Sequence, residues 1–216
     1  MATHASSMRR RIALSALVLV AAAAAVVLMR EPILRLAGGW LVRADPLQHA
    51  DVIVIATDAN GSGALEATDL VRAGFAPRVA VFSGLPDPVE QEFIRRGAPY
   101  FNSAATAIRQ LHSLGVTATE VIPQPVGGTN DEGHSLPPWC AAHGYHRVIF
   151  VSTPDHSRRT RRVLRRATQG EPIDVIVVYA HYSDFNPDSW WSSRGGTRIW
   201  IVESQKLMLD LIRHPF

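Results

Sequence analysis

The sequence predicts a single α/β domain, built on a mostly parallel β-sheet with helices on both faces, behind one transmembrane helix. Two observations carry this prediction. An uncharged apolar run occupies residues 12–29. Beyond residue 50, short runs rich in β-branched residues alternate with stretches of helical periodicity, and these runs are apolar at nearly every position. Strands that are buried on both faces and alternate with helices are typical of a parallel sheet covered on both sides. An α+β domain is the alternative.

The composition is that of a globular protein with a short appendage. The chain has 216 residues, which is enough for one domain with a sizeable core. Hydrophobic residues make up 47% of the chain and charged residues 19%, which argues against wholesale disorder. A net charge of +3 is too small to indicate a nucleic-acid-binding protein. Cys140 is the only cysteine in the sequence, so neither an internal disulfide nor a cysteine-based metal framework is expected.

The apolar run at residues 12–29 is long enough to cross a membrane as a helix. Its 18 residues reach about 27 Å at roughly 1.5 Å per residue, and the hydrocarbon core is about 30 Å thick. Arg9, Arg10 and Arg11 precede the run, which predicts a cytoplasmic N-terminus and an exported domain. A cleaved signal peptide is the alternative. Its apolar region would be shorter, about 7–15 residues, and would end at small residues.

The predicted organisation has three parts: a tail and transmembrane anchor at residues 1–30, a juxtamembrane connector at 31–50, and the α/β domain at 51–216. Apolar residues in the connector predict a short amphipathic helix, lying near the membrane surface or on the domain. They are Ile33, Leu34, Leu36, Trp40 and Leu41.

Within the domain, hydrophobic periodicity and turn residues predict five strands and six helices. The predicted strands cover residues 51–57, 78–83, 120–123, 147–152 and 174–179. The predicted helices cover residues 62–73, 88–96, 103–114 with Ser103 as the cap, a stretch from about 130 or from 137–138 to 144, 156–167, and 198–213.

The loops after the predicted strands form the candidate site. In an open parallel sheet, ligands bind beyond the carboxyl ends of the strands. These loops are rich in hydroxyl, carboxylate and imidazole groups, and their glycines permit a ligand to approach the backbone closely. The loops cover residues 58–63, 83–84, 127–132, 152–156 and 180–182.

The loop after the fourth strand is the most informative one. His156 lies at the start of a predicted helix, and Arg158 and Arg159 lie in its first turn. A helix N-terminus attracts anions through its free N–H groups and its dipole, and added cationic side chains favour phosphate or carboxylate. The alternative is purely structural, with Asp155 as the helix cap and the arginines facing solvent. If the cluster serves a ligand, removing His156 or Arg159 should leave stability nearly unchanged; in a structural ion pair the same change costs about 3–5 kcal/mol.

Five segments of the domain resemble, in register, the YdcF-like/SanA-like family of bacterial envelope proteins. VSTPDHSRRT resembles the family's histidine- and arginine-containing signature, DVIVIAT its first strand, VAVFSG its second strand and turn, TNDE its acidic segment, and ESQK part of its closing helix. The resemblance covers about residues 50–210. It implies a Rossmann-like three-layer α/β/α fold and a role in the cell envelope and peptidoglycan metabolism.

The resemblance also implies which side chains form the site. His156 and Glu132 match positions expected to be catalytic. The implied ligand-binding residues are Ser83, Gly84, Thr129, Ser152 and Arg159. The chain departs from the family pattern at residues 56–58, where the family has a glycine-rich turn, and at Leu85, which replaces a second glycine. These departures leave a divergent ligand or a lost activity open.

Several other residues have alternative interpretations. Cys140 fits core packing better than a nucleophile, and His143 and His146 lack the partners that a metal site needs. Ser83, His156 and Asp155 contain the groups of a catalytic triad, but the chain has no G-x-S-x-G elbow. Trp190 and Trp191 fit a pocket lip, a membrane interface or burial against the closing helix. A group of arginines fits a solvated helix face, or contacts with anionic lipid headgroups or envelope polymers, better than nucleic acid; they are Arg158, Arg159, Arg161, Arg162, Arg165 and Arg166.

The expected function is that of a single-pass protein of the bacterial cytoplasmic membrane that binds a small anionic or phosphate-bearing ligand on the extracytoplasmic side. A hydrolase or transferase activity is compatible with this site. The alternatives are a non-catalytic envelope scaffold or regulator with a vestigial pocket, and a nucleotide-like cofactor binder facing the cytoplasm. The sequence identifies no cofactor, predicts no metal ligand and gives no reason to expect nucleic acid as a partner.

Overall fold

A five-stranded, all-parallel sheet forms the centre of the molecule. The computed structural model describes residues 2–98 and 102–215. The sheet order is β3-β2-β1-β4-β5, so the chain builds one half of the sheet from β1 outwards and then returns to build the other half. This confirms the predicted Rossmann-like α/β fold. The strands are β1 (Val52–Ile55), β2 (Val79–Gly84), β3 (Thr119–Val126), β4 (Arg147–Ser152) and β5 (Asp174–Tyr179).

Helices cover both faces of this sheet and form the outer layers. Helices α2 and α4 pack together in one layer, and α5, α6 and α7 pack side by side in the other. The long helix α1 precedes the sheet. The helices are α1 (Ala2–Gly39), α2 (Asn60–Arg72), α3 (Pro88–Arg95), α4 (Ser103–Ser113), α5 (Thr129–His143), α6 (Pro154–Ala167) and α7 (Arg194–Arg213), with a 3₁₀ turn at Trp190–Ser192.

Burial on both faces explains why the central strands β1 and β4 each contain a continuous apolar run. All four residues of β1 are buried, and Val148, Ile149, Phe150 and Val151 of β4 are fully inaccessible. β3 lies at an edge of the sheet and contains two prolines. Proline lacks the N–H that an inner strand must donate, so an edge position tolerates it. The prolines also explain why sequence periodicity alone predicts a shorter β3 than the structure contains.

One predicted helix cap and three predicted helix starts differ from the observed ones; among them, α2 begins at Asn60 instead of residue 62. Asn102, rather than Ser103, caps α4, because its side chain accepts a hydrogen bond from Ala105 N–H at 2.8 Å. α7 begins at Arg194 instead of residue 198, because the Ser193 side chain accepts from Gly196 N–H at 3.0 Å and starts the helix earlier. α6 begins at Pro154 with Thr153 as its N-cap residue, so Asp155 is not the cap.

The connector does not form a separate helix, because α1 continues through it to Gly39. Residues 14–39 form a helix long and apolar enough to cross a membrane. Pro32 lies inside α1 and removes one backbone hydrogen bond, but it does not end the helix. The far end of α1 then packs on the domain, where Leu41 is fully buried with Phe185, Trp190 and Leu207.

The contacts of residues 34–45 with the rest of the domain predict that a truncation which removes them lowers thermal stability. Asp45 accepts from Arg161 at 2.7 Å and from Val177 N–H at 3.1 Å, so this segment is tied to α6 and β5. A chain of residues 31–216 should stay soluble without detergent and unfold in one transition. A chain of residues 48–216 lacks Leu41 and Asp45, so its thermal midpoint should be clearly lower. Equal midpoints for the two chains would show that the segment adds nothing to the domain.

Candidate functional site

The candidate site lies where the chain reverses the direction in which it builds the sheet. β1 leads to β2 and β3 on one side, whereas β4 and β5 lie on the other side, so β1 and β4 flank the switch point. Ligands of doubly wound folds bind in the crevice at this place. A cavity of about 390 Å³ opens here. Its lining residues are Thr57, Asp58, Gly127, Gly128, Thr129, Asn130, Asp131, His156, Arg159 and Lys206.

His156 is at the centre of a group of carboxylates. Its Nδ1 contacts Asp58 Oδ2, and its Nε2 lies 3.1 Å from Glu203 Oε1 and 3.2 Å from Asp155 Oδ2. Asp58 comes from the loop after β1, His156 and Asp155 from the first turn of α6, and Glu203 from α7. The imidazole therefore joins three elements that are far apart in the sequence.

These carboxylates keep His156 charged at neutral pH. Burial alone would lower the pKa of His156, but hydrogen bonds to Asp58 and Glu203 and the negative charges of Asp58 and Asp155 outweigh burial and raise it to about 10. Burial alone would raise the pKa of Glu203, but the hydrogen bond from His156 and the positive charge of His156 outweigh burial and lower the pKa of Glu203 to about 2. The pair is an imidazolium and a carboxylate across the physiological pH range.

Two further cations complete this side of the cavity. Arg159 donates to Glu203 Oε2 through Nε at 3.3 Å and through NH2 at 3.2 Å. Lys206 Nζ donates to Glu203 Oε1 at 2.6 Å, one turn along α7. Glu203 is nearly fully buried, whereas about half of the Lys206 side chain is exposed. Glu203 thus orients His156, Arg159 and Lys206 towards one cavity.

The N-terminus of α5 forms the other side of the cavity. Gly128 precedes the helix with φ 154° and ψ −174°, a backbone conformation that is essentially restricted to glycine. No side chain caps this helix end. Asp131 Oδ2 accepts from Gly127 N–H at 2.8 Å, which fixes the turn. Backbone N–H groups at an uncapped helix start favour an anion.

Glu132 lies behind the cavity wall and is not among its lining residues. It is 1% exposed, and its Oε1 accepts from both the N–H and the hydroxyl of Thr57 at 2.7 Å. Burial and the nearby charge of Asp58 raise the pKa of Glu132 to about 7, although the two Thr57 hydrogen bonds oppose this shift. Glu132 therefore positions Thr57, which does line the cavity, and remains poised between its protonated and ionised forms.

The sequence-predicted site residues separate into two groups. The structure brings together His156, Arg159 and Thr129 in the cavity wall, with Glu132 behind it. The remaining three make contacts elsewhere. Ser83 Oγ lies 3.4 Å from Asn102 Nδ2, Gly84 N–H donates to Ser103 Oγ at 3.2 Å, and Ser152 Oγ is buried 3.3 Å from Thr160 Oγ1.

Sequence reasoning missed the residues that hold His156 and Arg159 in place. Asp58 was visible as part of the first loop, but nothing marked it as the partner of a histidine about 100 positions later. Glu203 and Lys206 are part of the ESQK segment and are three residues apart, a spacing that places them on one face of a helix. That spacing was the available signal for a charged pair aimed at the site.

A second cavity of about 320 Å³ lies against the same two central side chains, Asp58 and His156. The start of α2 and the loop after β5 form its walls. Asp58 and His156 thus line both cavities. The other lining residues are Ala59, Asn60, Gly61, Ser62, Thr153, Asp155, Tyr182, Ser183, Asp184, Phe185 and Ile199.

The arginines of α6 are paired and do not form a free solvated face. Arg161 contacts Asp45, and both Arg162 and Arg166 contact Asp210. The guanidinium of Arg158 lies over the Trp40 ring, and its NH1 donates to Trp40 O at 2.8 Å. These pairs fasten α7 and the end of α1 to α6, which explains why one helix carries so many cations.

The remaining candidates from the sequence are structural. Burial raises the pKa of the Cys140 thiol to about 12, so it is not a thiolate nucleophile. Among the described residues, no serine hydroxyl contacts His156 and no group of three or more potential ligands could hold a metal ion. Trp190 is buried against α7, stacked on Trp200 with 4.4 Å between ring centroids.

Fold and site together define a Rossmann-like α/β protein with a polar crevice at the switch point of its sheet, lined by three cationic side chains and by the carboxylates of Asp58 and Asp131. No family model matches the chain, and no curated protein matches it. Among solved structures, it is similar to guanylylpyridinol- and ATP-bound HcgE from Methanothermobacter marburgensis, at 13% identity over 81% of this chain and the whole of that one. The TM-score is 0.27, at which the similarity supports no inference about function.

Proposed function

We propose that the protein is a membrane-anchored α/β protein of the bacterial cell envelope that binds a small, phosphate-bearing anion in the switch-point crevice. The observation that carries this proposal is the pairing, in one cavity, of the uncapped α5 N-terminus with His156, Arg159 and Lys206. Helix N–H groups and a planar guanidinium are the groups that proteins use to bind phosphate.

The proposed location rests on the N-terminal helix and on sequence resemblance. The apolar part of α1 follows Arg9, Arg10 and Arg11, which supports a cytoplasmic N-terminus and an extracytoplasmic domain. The resemblance to the YdcF-like/SanA-like family supports a role in envelope or peptidoglycan metabolism. A reporter that is active only after export, fused to the C-terminus, should be active; activity of a cytoplasm-dependent reporter instead would reverse the orientation.

Binding should depend on Lys206 and on the shape of the Arg159 side chain. Lys206→Met in the full chain should weaken binding of inorganic phosphate, measured by isothermal titration, by about tenfold, which corresponds to about 1.4 kcal/mol. Arg159→Lys keeps the charge but loses the planar fork, so it should also weaken binding. Arg95→Met is the matched control, because Arg95 pairs with Glu92 three residues away but lies outside the cavity.

Each outcome of this titration favours one candidate function. Weaker binding in both the Lys206→Met and the Arg159→Lys variants, with binding by Arg95→Met unchanged, supports the phosphate site. Absence of phosphate binding by the unmodified chain would favour a scaffold with a vestigial pocket. Binding that requires a nucleoside attached to the phosphate would favour the nucleotide-like cofactor alternative.

A further inference from the structure

Helix α1 joins the domain without a flexible linker. The indole N–H of Trp190 donates to Leu34 O at 2.8 Å, and that of Trp200 donates to Ala37 O at 2.8 Å. At Gly38 the helix approaches the domain so closely that a Cβ atom there would lie 2.0 Å from Pro187 O. The last turns of α1 are therefore fixed to the 3₁₀ turn and to α7.

The path of the chain after α1 shows from which side the helix approaches. Leu41 O accepts from Arg158 N–H at 3.1 Å, and Arg43 N–H donates to Ser157 Oγ at 2.8 Å, both in the first turn or so of α6. α6 starts directly after the carboxyl end of β4. Asp45 then contacts Val177 in the middle of β5. Asp51 leads into β1 at the edge of the sheet formed by the amino ends of the strands. α1 thus reaches the domain at the carboxyl edge of the sheet, where the candidate site lies.

The contact at Leu34 fixes how far the domain lies from the apolar run. Leu34 is five residues beyond Met29, the last residue of the uncharged run, which is about 8 Å along a helix axis. A bilayer is about 40–45 Å thick with a hydrocarbon core of about 30 Å, so each polar layer is roughly 5–8 Å deep. If α1 spans a bilayer, the Trp190–Ser192 turn lies at the depth of the lipid headgroups.

The exposed surface beside this turn has the chemistry of a membrane interface. We call it the interfacial face and define it by Trp191, Arg194, Arg198, Ile201 and Val202, which line a shallow, mainly apolar depression. Ile201 and Val202 are 45% and 39% exposed, although they are large aliphatic residues. Tryptophan and arginine are residues that favour the interface of a bilayer that carries anionic lipids.

We propose that the interfacial face lies in the headgroup layer of the bilayer that α1 spans, and that it turns the carboxyl edge of the sheet towards the membrane surface. The proposal rests on the membrane span of the proposed function but not on phosphate binding. The bilayer is the occupant because the face adjoins the point at which α1 is fixed to the domain. Arg194 and Arg198 are exposed and complement anionic headgroups.

Site-specific quenching in nanodiscs tests the proposal with the full chain. Cys140 is buried, so a fluorophore can be attached at Ile201→Cys, and at Ser113→Cys as the control. Ser113 ends α4, which packs beside β2 and β3 on the side of the sheet away from the β5 edge. With nitroxide on the lipid headgroups, quenching should be several-fold stronger at position 201 than at position 113.

A charge variant shows whether the contact is specific. Arg194→Gln combined with Arg198→Gln should reduce quenching at position 201 in nanodiscs that contain phosphatidylglycerol, whereas Arg213→Gln, at the far end of α7, should not. Equal quenching at positions 201 and 113, in protein retained by the nanodiscs, would overturn the proposed contact alone. Loss of the chain from vesicles at alkaline pH would overturn the membrane span as well, and would leave phosphate binding to be judged by titration.

Discussion

Replacing His156 with alanine is expected to destabilise the protein by about 3–5 kcal/mol at neutral pH, the cost of removing one partner from a buried ion pair. The imidazolium is the shared partner of Asp58, Asp155 and Glu203, and the side chains of the last two are less than a tenth exposed. Without it, these carboxylates face one another with only Arg159 and Lys206 nearby. These contacts therefore favour the structural role of His156 that the sequence offered as the alternative, while ligand binding by the same residue stays a proposal that phosphate titration tests.

Denaturant unfolding at several pH values measures this effect. The unmodified protein should lose the contribution of His156 as pH rises, because the folded pKa of about 10 exceeds the ordinary value of 6.5. That contribution is complete below pH 6.5 and disappears as pH passes 10. His181→Ala is the matched control, since His181 contacts Glu66 but its side chain is 72% exposed; exposed pairs contribute about 1 kcal/mol or less. An equal cost for both variants would contradict the buried-cluster interpretation.

Glu132→Gln is expected to stabilise the protein by about 3 kcal/mol above pH 8, at about 1.4 kcal/mol per pKa unit. The folded pKa of about 7 lies above the ordinary value of 4.5, so the folded state favours the protonated carboxyl. The contribution of that proton is complete below pH 4.5 and is lost as pH rises through 7. Glutamine keeps an oxygen that can accept from Thr57 and carries no charge, so it avoids the penalty at alkaline pH.

The gain should appear in the denaturant midpoint above pH 8 and vanish below pH 4.5. Glu92→Gln is the control with the opposite environment, because the Glu92 side chain is 41% exposed and hydrogen bonds from Arg95 and Arg96 lower its pKa. Glu92→Gln should not stabilise the protein either above pH 8 or below pH 4.5. A Glu132→Gln protein that is less stable than the unmodified one above pH 8 would show that Glu132 is ionised in the folded protein.

The fold was predictable because its signals are local, whereas the partners within the site are not. Each inner strand contains a continuous apolar run of four residues, and the residue runs at 147–152 and 174–179 match β4 and β5 without any shift. His156 and Arg159 were found because a helix start after a strand has a recognisable sequence. Asp58 and Glu203 become partners of His156 only through the strand order and the packing of α7, which no local pattern encodes.

The length of α1 also depends on long-range contacts that no local sequence pattern encodes. The sequence predicts a separate connector with its own short helix after the apolar run, yet α1 continues to Gly39. What sustains it is packing against Trp190 and Trp200, residues more than 150 positions away. Tertiary contacts thus decided the length of an element that propensity alone would have shortened.

A rigid joint between α1 and the domain limits what the crevice can reach. A domain on a flexible linker would explore a wide volume above the membrane. Here the chain is helical from Met29 to Gly39, ten residues further on, which is a rise of about 15 Å. His156 lies only two residues before Arg158, which bonds to Leu41 at this end of the helix. In a chain whose helix crosses a bilayer, the crevice would stay at one nearly constant distance from the membrane surface. It would therefore encounter molecules confined to that layer far more often than molecules free in bulk solution.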